Sequence, residues 1–283
     1  MRSEEEIKDL IVATATTDDR VRAVLLNGSR ADPNVERDHF QDFDVVFVVN
    51  NLESFISDHK WIEVFGEKII LQMPDQMTIG ERAPVGFTYL MLFRDGNRID
   101  LTLFPAENIG TNFPVDSLTV VWIDKDKSFL NIPEPTDSQY HIRRPTEMEF
   151  LDTCNEFWWV STYVAKGLAR GQIIYAREIL ETTVRPMLMK LVGWKIGREN
   201  NFSVSIGKAG KFIQRYLSEP DYKKLLTTYS DAEIENTWQS LFSMTELFTQ
   251  FAKEVSVGLG FHYRTKEQED TLGYLKGIYD DQL

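Results

Sequence analysis

The hydrophobic pattern changes period once along the chain. In the first part, apolar residues come in short runs separated by turn residues. Val21 to Asn27, Phe43 to Val49, Lys68 to Met73, Phe87 to Arg94, Arg98 to Phe104 and Leu118 to Ile123 each predict a strand. Asp95-Gly96-Asn97, between the fourth and fifth runs, is a hairpin signal. A helix precedes them, with Ser3 and Glu6 spaced as a capping box and Ile7, Leu10 and Ile11 as its apolar stripe. Pro133, Pro135 and Pro145 bracket a polar stretch that suits a linker. Beyond it the spacing turns helical, over Thr146 to Arg170, Ile173 to Val192, Lys211 to Leu217 and Asn236 to Val257. The pattern predicts an α+β protein, with a mixed sheet in residues 1–132 and helices in residues 133–283.

Composition adds limits. The 283 residues suit two domains, and 42% hydrophobic with 12% aromatic residues is enough for a packed core. The net charge of −13 disfavours nucleic acid as a partner and favours polycationic ligands. A single cysteine, Cys154, excludes an internal disulfide and reads as a small buried hydrophobe. The acidic start, Met1-Arg2-Ser3-Glu4-Glu5-Glu6, is unlike a signal peptide, and no apolar run has the roughly 18 residues of a membrane span. A cytoplasmic monomer without membrane contact is the expectation.

Three pieces of the first part carry chemistry. Gly28-Ser29-Arg30 follows the first strand, Asp42-Phe43-Asp44 opens the second, and Asp100 interrupts the apolar fifth strand beside Ile99 and Leu101. Period two puts Asp42 and Asp44 on one face. Carboxylates so placed are the hard oxygen ligands that Mg²⁺ takes, and a buried Asp100 needs a partner of the kind a metal provides. Gly28 allows close backbone approach to a phosphate, Ser29 offers a hydroxyl, and Arg30 adds positive charge. Each signal alone is a turn or a solvated acid, but together, in this order, they resemble the DNA polymerase β-like nucleotidyltransferase superfamily.

Longer segments resemble the aminoglycoside 6-adenylyltransferases, bacterial streptomycin-modifying enzymes. They are Gly28-Ser29-Arg30, Phe40-Gln41-Asp42-Phe43-Asp44, Asp95-Gly96-Asn97-Arg98-Ile99-Asp100-Leu101-Thr102-Leu103, Asn155-Glu156-Phe157-Trp158 and Tyr163-Val164-Ala165-Lys166-Gly167-Leu168-Ala169-Arg170. The resemblance implies transfer of AMP from ATP to the 6-hydroxyl of streptomycin, with release of pyrophosphate and antibiotic resistance as the role. It implies a nucleotidyltransferase domain followed by a helical substrate-binding domain. It also implies metal binding by Asp42 and Asp44, with Asp100 as a further ligand or as the general base. An ordinary carboxylate, with a pKa near 4, is a poor base for an alkanol, so Asp100 needs a raised pKa or a metal-acidified hydroxyl.

On the helix from Thr146 to Arg170, about 100° per residue gathers Phe150, Cys154, Phe157, Ser161, Val164 and Leu168 into a core stripe. Opposite lie Asp152, Glu156, Trp159, Tyr163, Lys166 and Arg170. The sharper expectation has Asp152 and Glu156 holding a cationic acceptor, Trp159 and Tyr163 stacking on its rings, and Lys166 reaching the triphosphate. The plainer one is macrodipole matching and packing. Gly207-Lys208-Ala209-Gly210-Lys211 lacks the spacing of a phosphate loop, and the four histidines lack metal-ligand spacing. Two alternatives stand beside adenylylation of an aminoglycoside. One is a nucleotidyltransferase acting on a protein, RNA or another small acceptor; the other is an inactive nucleotide-binding module.

Overall fold

The computed structural model describes residues 1–80, 85–113 and 116–281. The chain separates into two compact units, residues 1–139 and 140–283. The division falls inside the proline-bracketed stretch, somewhat after the expected boundary at 132/133.

In the first unit, α1 (Glu4–Thr17) starts at Ser3, whose side chain accepts from the Glu6 N–H while the Glu6 carboxylate accepts from the Ser3 N–H. Among the described residues, six strands form one mixed sheet in the order β3-β4-β5-β2-β1-β6. They are β1 (Val21–Asn27), β2 (Phe43–Val49), β3 (Lys68–Gln72), β4 (Phe87–Phe93), β5 (Arg98–Pro105) and β6 (Thr119–Asp124). Short helices α2 (Glu53–Ile56) and α3 (Ile109–Asn112) lie in the connections. The pairings are antiparallel except that of β2 with β5, which is parallel.

The two sheet faces differ in a way that places the chemistry. Phe43, Val45 and Phe47 of β2, Tyr89 and Met91 of β4, and Ile99, Leu101 and Leu103 of β5 alternate onto one face. There they bury with Ile7, Ile11 and Ala15 of α1. A smaller core of Ala23, Leu25, Val48 and Phe129 covers part of the other face. Arg98, Asp100 and Thr102 of β5 and Asp44 of β2 occupy this second face by the period-two rule, and all four remain only partly buried.

The second unit is helical: α4 (Glu147–Ala169), α5 (Ile173–Ile179), α6 (Arg185–Glu199), α7 (Glu219–Thr227), α8 (Ile234–Leu259) and α9 (Thr265–Asp280). The core stripe expected on α4 is buried, from Phe150 to Leu168. Burial also pushes the Cys154 thiol up to about 12, which makes it an inert apolar filler. The helix expected over Ile173 to Val192 is interrupted by a π-helical turn, Leu180–Val184, and then runs on to Glu199. Lys211 to Leu217 forms only a 3₁₀ turn at Ile213–Arg215. The pattern of apolar residues misses α7 and α9, because few of their residues are buried: Leu225 in α7, and Gln268 and Leu275 in α9. Among the described residues, no helix is long and apolar enough to cross a membrane.

Candidate active site

The site lies where β1 ends and the parallel strands β2 and β5 begin. After Asn27 the chain makes one 3₁₀ turn through Gly28, Ser29 and Arg30. Gly28 has φ +72°, a conformation that side chains resist. A methyl group there would also overlap the Asp44 carboxylate, so backbone and acid share space that only glycine leaves open. Asn27 stands opposite Asp44 in the β1–β2 ladder, and its side-chain oxygen accepts from the Thr119 hydroxyl at 2.8 Å.

The acids come together through strand register. Asp44 pairs with Asp100 across the parallel β2–β5 ladder, and Asp42 precedes Asp44 by two residues. Arg98, two residues before Asp100, points along the same face. Its Nε and Nη2 each donate to an Asp100 oxygen at 2.7 Å, and its Nη1 lies 3.4 Å from Asp42 Oδ2. Burial pushes the Asp42 carboxyl above its usual range; Arg98 works against that shift and Asp100 adds to it. The Asp100 hydrogen bonds raise the Arg98 guanidinium in turn.

This donor set suits a divalent cation. Asp42 and Asp100 already converge on one cation, the guanidinium, and carboxylate oxygens are what Mg²⁺ prefers. As they stand, no three His, Cys, Asp or Glu side chains among the described residues are drawn close enough to hold an ion.

Arg30 stands differently from its expected place beside a phosphate. It is 4% exposed, donating to the carbonyls of Gln41 and Asp42 and to Glu4, with its guanidinium 3.9 Å from the centre of the Phe43 ring. It fixes the backbone that leads into Asp42. Arg98, by contrast, carries no expected role although it stands in the motif. The period-two argument that joins Asp42 to Asp44 also joins Arg98 to Asp100, and that signal was available.

In the second unit, Trp159 is 61% exposed and its Nε1 donates to the Tyr163 hydroxyl at 2.7 Å. It borders a groove of about 390 Å³ with Thr162, Glu267, Asp270 and Tyr274. The Lys166 ammonium lies 5.9 Å from the ring centres of both Tyr163 and Tyr274. Glu156 is exposed on the same helix. Asp152 lines a separate cavity of about 820 Å³ with Arg143, Arg144, Lys190 and Trp194. Of the expected stripe, Asp152 thus lines one concavity and Trp159 another.

A strand ending in Gly-Ser, an Asp-x-Asp opening the next strand and a third Asp in register on a parallel neighbour define a nucleotidyltransferase. The model of the streptomycin adenylyltransferase family matches residues 1–278. An aminoglycoside 6-adenylyltransferase of Bacillus subtilis (strain 168) is 43% identical over 282 residues, 99% of each chain. Another, of Campylobacter jejuni, is 42% identical over 93% of this chain and 91% of its own. The crystal structure of an aminoglycoside 6-adenyltransferase from Bacillus subtilis covers 99% of each chain at 38% identity, with a TM-score of 0.49. The chain belongs to the streptomycin adenylyltransferase family, and it is an enzyme, a nucleotidyltransferase, of a family that implies ATP as co-substrate.

Proposed function

We propose that the protein transfers AMP from ATP to the 6-hydroxyl of streptomycin, releasing pyrophosphate, and that antibiotic resistance is its role. The observation that carries this reading is the Asp44–Asp100 register at the strand ends beside Gly28. The names of the relatives supply the acceptor class.

Asp42, Asp44 and Asp100 would hold Mg²⁺, which when bound offsets the triphosphate charge and polarises the α-phosphate. Gly28 keeps the turn close to the acids, and the Ser29 hydroxyl is a donor for phosphate oxygens. Arg30 positions Asp42 through its carbonyl. The acceptor oxygen forms a bond to the α-phosphorus as the bond to the pyrophosphate oxygen breaks, and Asp100 receives the hydroxyl proton. On α4, Glu156 would meet a cationic group of the antibiotic, while Trp159 and Tyr163 would offer ring faces to it. Asp152 is less suited to a polycation, since Arg143, Arg144 and Lys190 share its cavity.

The test is incubation with ATP, Mg²⁺ and a panel of aminoglycosides, reading pyrophosphate release. Release that depends on streptomycin is expected. No release with any aminoglycoside would remove the proposal.

A further inference from the structure

Two acids of the site already share a cation, and that cation belongs to the protein. The Arg98 guanidinium makes a two-pronged contact with Asp100 and reaches Asp42 with its remaining nitrogen. Such a fork on one carboxylate is geometrically specific, because both oxygens are engaged at once. A divalent ion held by Asp100 would need the same lone pairs. The Arg98 side chain is 41% exposed, against 18% for Asp100, so the base of the ion pair is sheltered while the arginine stem has room to leave. Like charges also repel, and three acids gathered on neighbouring strand positions need positive charge among them whether or not an ion is bound.

We infer that Arg98 is a resident counter-cation, which holds Asp42 and Asp100 together and must be displaced when a divalent ion binds. The inference rests on the proposal that these acids hold Mg²⁺. It makes Arg98 a positioning residue that sets how tightly the free enzyme takes the ion. Ion binding without nucleotide is weakened by the competing guanidinium, which offsets part of the acids' charge in the resting enzyme.

The experiment is a titration of the free enzyme with Mn²⁺, as a spectroscopic substitute for Mg²⁺. Free ion is read by electron paramagnetic resonance with no nucleotide or antibiotic present, and folding is checked by circular dichroism. Arg98→Gln is expected to bind Mn²⁺ more tightly than wild type, by up to roughly fivefold, the scale of losing one partly solvated competing pair. Arg98→Lys, which keeps charge but not the fork, is expected to tighten binding less. Equal or weaker affinity in folded Arg98→Gln overturns the inference. If that variant does not fold, Arg98→Lys decides in its place: tighter binding supports the inference and unchanged binding overturns it. No saturable Mn²⁺ binding in wild type or either variant overturns the metal reading itself, and this inference with it.

Discussion

Gly28 and Asp44 occupy one small volume, and that links a backbone angle to catalysis. Gly28→Ala would place a methyl group on the Asp44 carboxylate at φ +72°. The expected cost in stability is about 1–2 kcal/mol for the left-handed conformation. The expected loss in turnover is larger, roughly a hundredfold or more, because a small displacement of a reacting group is enough for that. Thermal melting and kcat measured together check this, and near-normal turnover would separate Gly28 from the acid site. Arg30 shows the limit of residue-level inference. Its charge and place suggest a phosphate ligand, yet the carbonyls of Gln41 and Asp42 lie within its reach and take its hydrogen bonds. Sequence shows a side chain's chemistry, while only folding shows which groups it meets first.

At the scale of elements, the β4–β5 hairpin fixes where Arg98 and Asp100 fall. Its turn is tied down by Asp95, which accepts from Arg2 Nε at 2.6 Å and from the Asn97 backbone and side chain. The Arg2 guanidinium is the main cause holding the Asp95 carboxyl well below the usual carboxylate range. A depressed folded value means the stabilisation is fully present above the ordinary value near 4, and is lost only progressively as pH falls from there down through the depressed value. Asp95→Asn should therefore cost about 1 kcal/mol at pH 7, and the gap from wild type should close in acid. Urea unfolding at a series of pH values from about 7 downward checks both halves: the gap should hold down to about pH 4 and narrow only below it, and a gap already closed between about pH 7 and about pH 5 would contradict the assignment. All the strands were legible because their runs are short, apolar and bounded by turn residues. The helices α7 and α9 were not, since each buries only one or two residues and leaves no apolar period to read. The Ser218 side chain does cap α7, and that serine, with Pro220 and the acids Glu219 and Asp221 in the first turn, was the local signal present. The Asp42, Asp44 and Asp100 motif was readable from order and spacing. That Asp100 stands on a neighbouring strand was expected, but its parallel direction and its register with Asp44 were not legible, because a parallel ladder joins segments far apart in the chain.

For the whole molecule, charge is the property that bears on the acceptor. If the acceptor is the proposed antibiotic, a net charge of −13 would draw that polycation from solution, and salt would screen the attraction. The Michaelis constant for streptomycin is expected to rise about threefold or more between roughly 0.05 and 0.5 M salt. Glu156→Gln should raise it further at low salt while leaving the constant for ATP nearly unchanged. A salt-independent constant would count against acidic recognition of the antibiotic. The central claim is that the acids at the start of β2 and β5 transfer a nucleotidyl group to an aminoglycoside. It is tested most directly by the mass of streptomycin after incubation with ATP, Mg²⁺ and either the wild-type enzyme or Asp44→Asn. The account predicts that wild type adds one AMP unit to the antibiotic and that the folded variant leaves it unmodified. An adduct formed equally well by Asp44→Asn, or unmodified streptomycin after incubation with active-folded wild type, would contradict it.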